Sequence, residues 1–100
     1  MIRAALLSLV LTAPAVGARA EGDPAYGEYL AGECTTCHLV GETEATGGVP
    51  LITGWDEDVF VDVLTAYKTG EREHGPMQMI VARLGDEEMA ALAAYFATQE

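Results

Sequence analysis

The chain holds two cysteines, Cys34 and Cys37, with two residues between them and His38 directly after. In a protein of 100 residues that spacing decides how a fold can be held together. A chain this short buries only part of its surface and usually needs a disulfide, a metal or a cofactor as a staple. A disulfide between Cys34 and Cys37 would close too small a loop to stabilise a whole domain. The pair therefore points to a bound group.

The first twenty residues read as a leader rather than as part of that fold. Met1, Ile2 and Arg3 precede a largely apolar stretch from Ala4 to Val16, and Ala18-Arg19-Ala20 supplies small residues before the polar Glu21-Gly22-Asp23-Pro24. That is the pattern of a cleaved secretory signal peptide, and the apolar run falls short of the ~20 residues of a membrane span. The expectation is a signal peptide over 1–20, one domain over 21–100, a periplasmic location and no membrane span after cleavage. An uncleaved leader would instead act as a tether.

Without Arg3 and Arg19, three basic residues (Lys68, Arg72 and Arg83) face sixteen acids, a net charge of −13. Such a field repels phosphate backbones, which excludes nucleic acid as a partner. It speeds encounter with a basic docking patch on another protein and also keeps the chain soluble.

Three helices are expected. Asp23 caps a first helix with Pro24 at its first position, and Ala25, Tyr26, Tyr29 and Leu30 recur at helical spacing. Gly27 inside it costs about 1 kcal/mol relative to alanine, so close passage of another helix is its expected reason. Residues 39–54 carry four of the eleven glycines plus Pro50 and read as a loop. Asp56 to Lys68 has acids at its start, Val59, Phe60, Val63, Leu64 and Tyr67 along one side, and Gly70 as terminator. Glu71 to Pro76 reads as irregular, followed by Met77 and a short apolar run to Leu84. A last helix starts after Gly85, with Met89, Leu92, Ala93 and Phe96 as its apolar stripe.

The segment Cys34-Thr35-Thr36-Cys37-His38 is the attachment pattern for c-type haem. Two thiols one helical turn apart can add to the two vinyl groups of the porphyrin, and the adjacent imidazole becomes the proximal iron ligand. Three other uses compete for these residues. A thioredoxin-like pair wants a βαβ context that is not evident. A zinc site could recruit Cys34, Cys37 and His74, but His38 directly follows Cys37 and is badly spaced for the usual two-histidine arrangement. A plain disulfide leaves the small core unexplained.

An electron carrier closes its iron to small ligands, and a thioether sulfur as sixth ligand raises the potential. Met89 falls on the packed stripe of the last helix, which leaves Met77 and Met79. Two apart in an extended loop, they point opposite ways and only one reaches the iron. Met77, in the loop after Pro76, is favoured, with Met79 second. His74 is a further candidate, and a vacant sixth position would make a ligand-binding or peroxidatic haem protein.

Gly27-Glu28-Tyr29-Leu30, the Cys34 to His38 segment, Gly48-Val49-Pro50-Leu51-Ile52-Thr53-Gly54, Tyr67 to Arg72, Met77 and Leu84-Gly85-Asp86-Glu87-Glu88 before Ala94-Tyr95-Phe96 together resemble the class I cytochromes c. The nearest resemblance is to the cytochrome subunit of flavocytochrome c sulfide dehydrogenase and to the halves of the di-haem cytochromes c4. It implies an all-α cytochrome c fold, three main helices and loops wrapped around one covalent haem c. It also implies that Gly27 lets the first helix cross the last near Tyr95. The Pro50 carbonyl is expected to bind the second ring nitrogen of His38, and the distal ligand falls on Met77. Two departures are Gly85, where relatives commonly carry serine, and Trp55, which either lines the haem edge or covers the middle helix. The expected function is a periplasmic carrier cycling Fe(II)/Fe(III) between redox proteins rather than an enzyme, with the cytochrome subunit of a larger flavoprotein dehydrogenase as alternative.

Overall fold

A computed structural model describes residues 22–38 and 49–99. The expected leader and most of the first loop lie outside these residues. Five helices follow in chain order: α1 (Pro24–Leu30), α2 (Gly32–Thr35), α3 (Glu57–Thr69), α4 (Gly75–Val81) and α5 (Asp86–Ala97). The three expected main helices are α1, α3 and α5, and no helix among the described residues is long and apolar enough to cross a membrane.

Local chemistry accounts for their ends. Asp23 accepts the N–H of Ala25 at 2.9 Å and Pro24 opens α1. Asp56 accepts from Asp58 and Val59 at 2.9 and 3.3 Å, satisfying two donors at the start of α3. Gly70 terminates α3 at φ 84°, a left-handed conformation that glycine adopts without a Cβ clash. Gly85 caps α5 with extended backbone and no side-chain bond, while Asp86, Glu87 and Glu88 put negative charge on its first turn.

The core is built on α5. Phe96, Met89, Leu92 and Val81 are fully buried, and Phe60, Val61 and Leu64 from α3 complete the cluster with Ala31, Leu84 and Ala93. The Phe60 and Phe96 rings stack at 5.6 Å, and Trp55 meets Phe60 edge-on at 6.0 Å. Of the two roles open to Trp55, this contact supplies one: the indole covers the start of α3.

The pairing of α1 with α5 is the most extensive in the fold. A Cβ on Gly27 would collide with the Ala91 carbonyl and stand 2.7 Å from the Tyr95 Cβ, so close passage is what requires glycine there. The expected crossing near Tyr95 is present.

One local reading changes. Residues 75–81, expected as the end of an irregular stretch followed by an apolar run, form helix α4. Its cap is His74, which accepts the Met77 N–H at 3.4 Å through Nδ1. Histidine is not among the residues that usually cap helices, and Pro76 reads as a loop signal although it is tolerated in a first turn.

Candidate functional site

Helix α2 and the turn after it place the attachment motif. The N–H groups of Cys37 and His38 both donate to the Cys34 carbonyl, at 3.2 and 2.8 Å, continuing the helical path past Thr35. The hydroxyls of Thr35 and Thr36 turn back onto the Gly32 carbonyl at 3.4 and 3.0 Å. Cys34, Cys37 and His38 thus stand at i, i+3 and i+4, the spacing that shares one helical face. Both thiols are free.

Cys34 is half-buried against the core and Cys37 is exposed. Burial, and secondarily the carboxylate of Glu33, pushes the Cys34 thiol up to about 11. A thioredoxin-like nucleophile needs the opposite shift, and among the described residues no strand precedes the cysteines. Among the described residues no three His, Cys, Asp or Glu side chains converge as a metal-binding group, so His74 does not join the cysteines in a zinc site.

His38 Nδ1 lies 2.7 Å from the Pro50 carbonyl. A carbonyl only accepts, so Nδ1 is the donor, and the neutral tautomer that fits this bond has its lone pair on Nε2. The loop that brings Pro50 there is anchored farther on, where the Gly54 N–H donates to the Phe96 carbonyl at 2.9 Å at the end of α5. An imidazole oriented in this way is suited to bind iron through Nε2.

The two methionines separate by burial. In α4, residues two apart stand on different sides of the helix, so the expected divergence survives although the loop does not. Met77 is half-buried and packs against the core, whereas Met79 is 74% exposed. Met89 is 1% exposed in the core of α5, as its stripe position implied. His74 does not present a free ring to the core: it is exposed, caps α4 and meets Tyr67 edge-on at 6.5 Å.

Two contacts that sequence reasoning missed fasten this region. Arg83 pairs with Glu33 at 3.0 Å, tying the turn before α5 to the helix that carries Cys34. Lys68, at the end of α3, donates to the Leu84 carbonyl. The Arg83 and Glu33 partners are 50 residues apart, and no local pattern signals them.

Two thiols and an oriented imidazole stand on one turn, and the thioether of Met77 packs on the same small helical core. The family model for cytochrome c matches residues 24–100, and the chain belongs to the cytochrome c family. Proteins of this family bind covalent haem c, typically one per domain, and transfer electrons. The chain is 33% identical over 96 residues to a cytochrome c4 of Pseudomonas aeruginosa, a match spanning 95% of this chain and 48% of that one. It is 34% identical over 85 residues to cytochrome c-554(548) of Halomonas halodenitrificans, spanning 79% of this chain and 99% of the relative. A cytochrome c4 of Azotobacter vinelandii is 30% identical, and half of its length is matched. The chain thus spans about half the length of its cytochrome c4 relatives. Among solved structures, a thiosulfate dehydrogenase of Marichromatium purpuratum superposes with a TM-score of 0.72 at 33% identity, over 90% of this chain and 22% of that one.

Proposed function

We propose that this chain is a periplasmic one-electron carrier, holding a single haem c by thioethers at Cys34 and Cys37 with His38 and Met77 as axial ligands. The observation that carries the reading is the 2.7 Å hydrogen bond between His38 Nδ1 and the Pro50 carbonyl, which fixes the ring's orientation and directs Nε2 to act as the ligand atom. The bound haem supplies a one-electron iron couple. The chain's own residues do the rest. Cys34 and Cys37 would tether the group and His38 and Met77 would hold its iron, while the apolar side chains of Ile52, Tyr67 and Ile80 pack, like Cys34 and Met77, against the core. A closed, low-dielectric site of this kind favours electron transfer over ligand binding.

Residues 1–20, read as a cleaved leader, would deliver the chain to the periplasm, where redox proteins are its partners. Its basic side chains beyond that leader are engaged internally: Lys68 with Leu84, Arg72 over the Tyr67 ring at 5.1 Å, and Arg83 with Glu33. The acidic surplus then sets the surface field, which suits a partner with a basic patch and makes association fall with salt.

The likeness to part of a thiosulfate dehydrogenase favours one second reading, an electron-transfer subunit of a larger dehydrogenase. Co-purification with such a partner from the native source distinguishes it from a carrier that purifies alone. The ligand assignment is tested by absorption spectra of the haem-loaded protein. The wild type is expected to show the weak long-wavelength ferric band of sulfur ligation, and Met77→Ala to lose it. A wild-type spectrum without that band, or a mutant that keeps it, refutes Met77.

A further inference from the structure

We propose that His74 is a positioning residue for the distal ligand: it fixes the first turn of α4, and with it the backbone from which Met77 projects. This rests on Met77 being that ligand. A helix of seven residues is too short to persist on its own propensity, so the presentation of Met77, in its first turn, depends on what holds that turn.

The hold is reciprocal. The Met77 N–H donates to His74 Nδ1 at 3.4 Å, while the His74 N–H donates to Gln78 Oε1 at 3.2 Å. Two donors otherwise left unpaired at the helix start are thereby satisfied, as in a capping box with its partner one position farther along. The same imidazole meets Tyr67 edge-on at 6.5 Å, and Tyr67 lies on the core cluster. One side chain therefore links the α4 turn to α3. Asparagine would keep the capping acceptor but lose the ring contact, and alanine would lose both, which lets the two parts be separated.

The test uses haem-loaded protein and measures how fast cyanide binds the ferric form, a rate limited by departure of the methionine, together with the sulfur band and the midpoint potential. His74→Ala and Gln78→Ala are each expected to speed cyanide binding about fivefold, the effect of losing one cap interaction. The sulfur band should remain at low temperature, and His74→Asn should recover most of the wild-type rate. Wild-type cyanide kinetics in His74→Ala, with the band lost in Met77→Ala, would overturn this proposal alone. A band that persists in Met77→Ala would overturn it together with the ligand assignment.

Discussion

Replacing Gly27 by alanine tests the crossing of α1 and α5 with the smallest possible change. The added Cβ would run into the Ala91 carbonyl and approach the Tyr95 Cβ to 2.7 Å. Neither is the free end of a flexible side chain, so relief requires the helices to move apart. They belong to the most extensive helix pairing in the fold, and Phe96 and Leu92 on the same helix are fully buried. Overpacking of this sort costs about 1–3 kcal/mol, and alanine returns up to about 1 kcal/mol of helix propensity. Because backbone opposes backbone, the cost belongs in the upper part of its range, for a net loss of about 1–2 kcal/mol. In a domain of this size that lowers Tm by roughly 5–15 °C. Gly32→Ala is the control, since nothing lies within 4 Å of a Cβ there, and it should leave Tm unchanged or raise it slightly. Thermal unfolding of the haem-loaded proteins, followed by far-ultraviolet circular dichroism, measures both. A Gly27→Ala protein as stable as wild type would refute the close-crossing argument.

Two further outcomes follow from the same structure. Asp56→Ala removes the acceptor for the Asp58 and Val59 N–H groups, and should cost about 1 kcal/mol in guanidinium unfolding while Asp56→Asn costs much less. Met79→Ala, at a side chain 74% exposed, should leave the sulfur band intact and stability within about 0.5 kcal/mol of wild type; loss of the band would move the ligand assignment from Met77 to Met79.

The long helices were legible because their signals are local. Asp23 with Pro24, Asp56 with its following acids, and Gly70 each act within a few residues, and the stripe of Met89, Leu92, Ala93 and Phe96 needs only the helical period. Helix α4 was not legible, because its cap is a histidine and its first turn holds a proline, so each residue alone suggests a loop. The preference for Met77 over Met79 came from the sequence, but its physical support is burial, which depends on how α4 seats against the core.

By itself the sequence pointed to a staple on one turn, at Cys34, Cys37 and His38, in a chain too small for a large core, and to three main helices joined by loops. Spacing along a backbone is enough for that, since residues three and four apart share a face wherever the helix lies. The tertiary structure decided how these parts are held together. The Pro50 carbonyl reaches His38 across twelve residues and Gly27 meets Ala91, contacts that only the family resemblance implied, while Arg83 reaches Glu33 across fifty residues and nothing in the sequence signalled it. These contacts exist because α5 serves as the common surface for α1 and α3 and an anchor for the Pro50 loop, and packing of that kind leaves no periodic trace in the residues it joins.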